Sequence, residues 1–220
     1  MASLADVFKD KERINWLRAW LAIDIAKSGL EHLADNEAQN IHQHIYSLVG
    51  STCNSCSTAN VLNKKPCPMH ICDNVCQLIV AYEHRYKSWS WNNTSAQFWS
   101  TNYWEIAKCY FPSVGYAATS SIQDTDFYGI VSFMLNCRRF DSKFSFPITT
   151  GKPTTRRPAC LLYKAREIGI AVRLSSTMKV TDVDLQDYFT TLNNLLSDPR
   201  YLSHDSDAQN AVMKLAQVVS

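Results

Sequence analysis

The chain has 220 residues, 46% of them hydrophobic, and its 22 Lys and Arg against 20 Asp and Glu leave a net charge of +2. That composition excludes a disordered polymer and allows a substantial core in one large domain or two small ones, while the net charge alone neither favours nor excludes nucleic acid. The opening MASLADVFKDKER carries charge where a secretory signal carries an apolar run, so the eight cysteines read as reduced thiols of a cytoplasmic or nuclear protein.

The most apolar early stretch, Trp16 to Ala26, contains Arg18 and Asp24. It is far shorter than the roughly 20 residues a bilayer requires, so no membrane partner is expected. Sequons at Asn92 and Asn93 have no meaning outside the secretory pathway. Charge is distributed unevenly. Arg138 to Lys179 holds ten Lys and Arg against Asp141 and Glu167, a local +8 that leaves −6 for the remainder. Such asymmetry is either an anion-binding face or a surface that docks on acidic protein.

In chain order, residues 3–28 read as a helix with Ile14, Leu17, Leu21 and Ile25 on its core side, ended at Ser28-Gly29. A second helix follows between Asp35 and Gly50 with Ile41, Ile45, Leu48 and Val49, making residues 1–50 a helical hairpin. His42 and His44 lie on different faces of it and cannot share a metal. Residues 51–118 hold five of the eight cysteines within 24 positions. Cys53-Asn-Ser-Cys56 is one half of a zinc knuckle, because a CxxC turn aims two thiolates at one ion and a second pair ten to fifteen residues on completes the tetrahedron. Cys67 and Cys72 are the preferred second pair, with His70 and Cys76 as alternates. Four protein ligands to one zinc leave no open position, so the site is structural.

Tyr82 to Tyr116 contains eleven of the 25 aromatic residues, read mainly as a small core, and Tyr103 to Pro112 as a short helix stopped by its proline. Residues 119–220 read as a helical bundle. Its helices cover Asp124 to Phe140, the Leu161–Val172 segment, a helix capped by Thr181, and a last one begun by a Ser206/Gln209 capping box. The second of these segments shows one apolar stripe (Leu161, Ala165, Ile168, Val172) and a second apolar side (Tyr163, Ile170, Leu174) bordered by Arg166 and Arg173. Strand signal is almost absent, and the fold class is all-α.

No GxxxxGK[ST], GxGxxG, HExxH or GxSxG is present, which removes support for nucleotide hydrolysis, dinucleotide redox chemistry, zinc proteolysis and the hydrolase elbow. His32, His42, His44, His70, His84 and His204 are scattered, with no partner the sequence can establish.

The order CNSC, CPMHIC, a Trp-rich loop, WEIAKCYFP and AREIGIAVRLSSTMKVTDVDLQDYFTTL resembles an animal protein family that includes the product of an open reading frame on the human X chromosome. Residues from about 120 to 220 are also similar to the HEPN domain of the DAZ-interacting type of ubiquitin ligase. The resemblance implies a helical bundle that dimerises, here through the 157–175 helix, and active HEPN domains are metal-independent ribonucleases whose motif is an arginine followed by four to six residues and a histidine. This chain departs at the motif: Gly169 or Ile170 stands for the arginine and Leu174 for the histidine. General acid–base transfer supplies typically 10² to 10⁴ in rate, and leucine cannot exchange a proton.

Three functions follow as expectations. The first is a degenerate HEPN-like module with one structural zinc, acting in binding, dimerisation or regulation. Its candidate RNA or anion contacts are Arg138, Arg139, Arg156, Arg157, Lys164, Arg166 and Arg173. The second is an active ribonuclease using a histidine outside the motif, such as His204. The third is a protein-interaction adaptor in a self-defence or ubiquitin pathway, with no nucleic-acid role.

Overall fold

The structure is a computed structural model that describes residues 10–63, 65–85, 91–149 and 160–219. These are helical with no strand among them, and an isolated bridge between His84 and Cys137 is the one extended pairing. The chain divides into two compact units, residues 1–32 with 143–220, and residues 33–142. Sequence-based boundaries at 50 and 118 fall elsewhere because the division runs through the first helix.

That helix, α1 (Lys11–Val49), replaces the expected hairpin with 39 continuous residues. Gly29 does not end it. A Cβ at Gly29 would lie 2.7 Å from Ala211 Cβ and 2.8 Å from Leu196 Cδ2, so the glycine serves close packing inside the first unit. Gly50, at φ +67°, is the residue that turns left-handed and ends α1, its N–H donating to Tyr46 O at 3.0 Å.

The face α1 buries also differs from expectation. Asn15, Ala19, Ala22, Ala26 and Leu30 are inside, while Leu17 and Leu21 are exposed. Small side chains admit a neighbouring backbone at short range, which large ones forbid.

In the first unit, α6 (Leu161–Arg173), α7 (Asp182–Leu196) and α8 (Ser206–Val219) pack in succession. Trp16 Nε1 donates to Val172 O at 2.9 Å, and Val180 N–H donates to Glu12 O at 3.0 Å. Thr181 caps α7 as its sequence suggests, accepting from the Asp184 N–H at 3.1 Å. Phe189, Leu192, Leu195 and Leu196 are its buried side. The cap of α8 lies one residue earlier than the expected box: Asp205 Oδ1 accepts from the N–H groups of Asp207 and Ala208, both at 3.0 Å. A carboxylate accepts more strongly than a serine hydroxyl at a positive helix end.

In the second unit, α2 (Thr58–Leu62) and α3 (Ile71–Leu78) flank the cysteine segment, and α3 continues as a π turn over Ile79–Glu83. The helix α4 (Tyr103–Ala107) leads into a 3₁₀ turn at Lys108–Tyr110, and α5 (Phe127–Asn136) is followed by another at Arg138–Ser142. Among the described aromatics of this segment, Trp99, Trp104, Tyr110 and Phe111 are core, each at most 1% exposed, whereas Phe98 is 52% exposed.

Buried within that core is an ion pair, Lys108 Nζ to Glu105 Oε1 at 2.7 Å. Glu105 Oε2 also accepts from the Ser95 N–H at 2.6 Å, and Lys108 donates to Ala117 O at 3.1 Å. The WEIAKCYFP segment is thereby a plug of buried residues holding the second unit together. Among the described residues no helix is long and apolar enough to cross a membrane.

Candidate metal centre

Chain leaving α1 at Gly50 runs directly into Cys53, and the second half of the site comes from the turn before α3, with Cys67, and from the first turn of α3, with Cys72. That turn is closed by the His70 N–H donating to Cys67 O at 2.9 Å, with His70 in the left-handed region at φ 56°. Asp73, in the first turn of α3, accepts from the Cys67 N–H at 3.2 and 3.3 Å. An acidic side chain is favoured at that helix end, and here it fixes the approach of Cys67. From the other side, Thr58 Oγ1 accepts from the Ala96 N–H at 3.0 Å and donates to Thr94 O at 2.8 Å.

The result is four thiols, Cys53, Cys56, Cys67 and Cys72, whose sulfurs all lie within 4.8 Å of one another. All four are buried and none is in a disulfide. Cys53 and Cys67 sulfurs are 3.8 Å apart. A tetrahedron of thiolates at Zn–S of about 2.3 Å has edges of about 3.8 Å, whereas a disulfide requires about 2.05 Å. The donor set therefore fits a tetrahedral, thiophilic metal ion and can hold one.

Burial alone would raise the Cys53 thiol, but the Ser55 hydroxyl, the N–H groups of Ser55 and Cys56, and Cys72 together bring it down to about 6. The Ser55 hydroxyl and the N–H groups of Ser55 and Cys56 would also offset the negative charge of a tetrathiolate site. Burial and the neighbouring thiols Cys67 and Cys53 push Cys56 up to about 11, and burial followed by Cys53 pushes Cys72 higher still. Such thiols ionise when a cation compensates them. Tyr46, near the end of α1, has its phenol raised by burial and then by charge on Cys72 and Cys53.

The two alternates stand outside the cluster. His70 is exposed and its Nδ1 lies 3.2 Å from Asp73 Oδ2. Cys76 is half-buried on α3, pushed up to about 12 by burial and Asp73. It lines a cavity of about 790 Å³ with Val61, Leu62, Val80 and Trp91.

The remaining expected contacts disperse. Arg138 is exposed and Arg139 pairs with the buried Glu37 at 3.1 Å, both in the second unit. In the first unit, Lys164 and Arg173 are exposed, while the Arg166 guanidinium lies 4.9 Å from the centre of the Tyr163 ring. Arg156 and Arg157 lie outside the described residues. On α6, Gly169 is buried, Ile170 half-buried and Leu174 is 72% exposed. Tyr163 is turned inward, so the second apolar side expected of this helix reduces to Ile170 and Leu174.

One arrangement escaped sequence reasoning. His32 Nδ1 lies 2.5 Å from Oδ2 of Asp205, with Asp207 close by. The pair is 173 positions apart, and only the cap of α8 brings it together.

A protein-family profile described as a domain of unknown function (DUF4559) matches residues 7–219. The chain belongs to the DUF4559 family. No curated protein and no solved structure matches it. The DUF4559 match covers both units and the four cysteines in one span.

Proposed function

We propose that this protein is a catalytically silent, HEPN-like binding module whose second unit is stapled by one structural zinc. The observation that carries the reading is the closed set of four buried thiols with a 3.8 Å sulfur–sulfur edge. Zinc suits it because it favours tetrahedral sulfur ligation, and with four protein ligands it has no position for a reacting water. Structural zinc in small peptides contributes about 10 to 16 kcal/mol to folding, enough to order a loop with little apolar content of its own.

Silence of the ribonuclease motif rests on Leu174, which stands at the C-cap of α6 with its side chain in solvent where a proton-transferring group would be needed. The exposed cations Lys164 and Arg173 support phosphate contact without cleavage. The test is purified, metal-loaded protein with labelled single-stranded RNA at two salt concentrations. Binding that weakens with salt and leaves RNA intact is expected. Ile170→Arg combined with Leu174→His is expected to introduce cleavage. Absence of binding even at low salt removes the RNA version and leaves protein partners.

A second reading, an active ribonuclease using a histidine outside the motif, has one observation in its favour. His32 is half-exposed and held by the buried Asp205 carboxylate, as a general base would be. Metal-independent RNA cleavage abolished by His32→Ala would establish it.

A further inference from the structure

The first unit holds a second set of metal-ligand side chains, unlike the cysteine site in both chemistry and closure. His32 on α1 meets Asp205 and Asp207 at the start of α8, and one ligating atom from each lies within 4.8 Å of the other two. Asp205 is the fixed member. Its side chain is 2% exposed, and its Oδ1 is anchored by the N–H groups of Asp207 and Ala208, both at 3.0 Å. The other oxygen, Oδ2, lies 2.5 Å from His32 Nδ1. His32 and Asp207 are exposed and can close on an ion that the Asp205 oxygen holds in place.

Capping alone does not account for the arrangement. A helix start carries about half a unit of positive charge, which the Asp205 carboxylate by itself more than offsets. Asp207 takes no part in the cap and adds a second carboxylate beside the first. Two carboxylates against that half charge leave the corner negative even with a proton on His32. The imidazole comes from a helix 173 positions away, so the donor set is more than one helix end with its acids.

We propose that His32, Asp205 and Asp207 bind one divalent first-row metal ion, with water in the remaining coordination positions. One imidazole nitrogen and two carboxylate oxygens suit zinc or manganese, whereas the four thiols of the second unit select a thiophilic ion. Three protein ligands leave the ion open to a further ligand, which a closed tetrathiolate site does not. An ion held there also occupies the imidazole on which the ribonuclease alternative depends. The inference is independent of the cysteine site.

Manganese is the discriminating probe, because thiolates prefer softer ions. The full chain is rinsed with citrate to clear open sites and titrated with Mn²⁺ from the micromolar to the millimolar range, with free Mn²⁺ read by electron paramagnetic resonance. About one bound ion per chain is expected. His32→Gln and Asp207→Asn should each weaken binding at least about tenfold, since even an outer partner of a metal ligand is worth about 10- to 100-fold in affinity. Asp187→Asn, at an exposed acid on α7, should leave binding unchanged. Each variant is compared at equal helicity by circular dichroism. No bound Mn²⁺ at millimolar concentration, or binding that survives both His32→Gln and Asp207→Asn, overturns the proposal and reduces the cluster to a His–Asp hydrogen bond. Equal weakening by Asp187→Asn overturns it as well, because the ion would then be held by general surface charge.

Discussion

Cys53 and Cys67, fourteen positions apart in the chain, bring their sulfurs to 3.8 Å without a disulfide. Loop and helix are built around that distance. The Gly50 turn delivers one thiol and the Asp73 carboxylate positions the other.

The ligand set is separable by substitution. Cys72→Ser should lower bound metal well below one ion per chain and expose the second unit to proteolysis. Cys76→Ser, outside the four-sulfur cluster, should leave metal content unchanged. Mass spectrometry under native conditions reads both. Equal loss from the two variants would mean that the wrong thiols have been assigned.

The Glu105–Lys108 pair predicts an asymmetric mutational response. Both side chains are at most 10% exposed. Glu105→Leu strands a buried ammonium and should cost about 3 to 5 kcal/mol, whereas Glu105→Leu with Lys108→Met should cost much less. Urea unfolding of the two variants measures the difference. Equal destabilisation would show that the pair acts through packing alone.

Gly29 offers a test of close packing against local propensity. Mid-helix, Gly→Ala ordinarily stabilises by about 1 kcal/mol. Here the added Cβ lies 2.7 Å from Ala211 Cβ. Overpacking of that kind costs about 1 to 3 kcal/mol, so Gly29→Ala should lower the urea midpoint. A raised midpoint would contradict the packing of α1 in the first unit.

Buried and stacked on Tyr110 at 5.5 Å, His84 has its imidazole lowered by burial to about 4 from an ordinary value near 6.5. The folded state therefore holds it neutral while the unfolded chain takes up a proton. Its contribution to stability is complete above about pH 6.5 and is lost as pH falls toward 4. His84→Leu should flatten that part of the stability profile. A variant with the same acid slope as the parent would show that other groups, the cysteine site among them, carry all of it.

Local signals were legible in the sequence and long-range ones were not. Thr181 and the leucines of α7 declare a capped amphipathic helix within a few turns, and the structure has it there. The CxxC pair likewise named two of the four thiols that come together and the preferred second pair, Cys67 and Cys72, the other two, while spacing alone left His70 and Cys76 open. For α1, hydrophobicity pointed the wrong way. Leucine and isoleucine outweigh alanine on any apolar scale, yet the alanine face is the buried one, and Gly29 on the same helix shows how closely a neighbour can approach it. Glycine 29 has the letter of a terminator and the role of a spacer, and only the position of α8 distinguishes them. The His32–Asp205 pair was invisible for the same reason.

Metal stoichiometry tests the central claim most directly. Protein purified without added metal or chelator, and measured by plasma mass spectrometry beside its circular dichroism, should carry about one zinc per chain. Chelation should unfold or loosen the second unit, with zinc restoring it. A metal-free chain that is fully folded and gains nothing from zinc would contradict the reading of Cys53, Cys56, Cys67 and Cys72 as a structural zinc site.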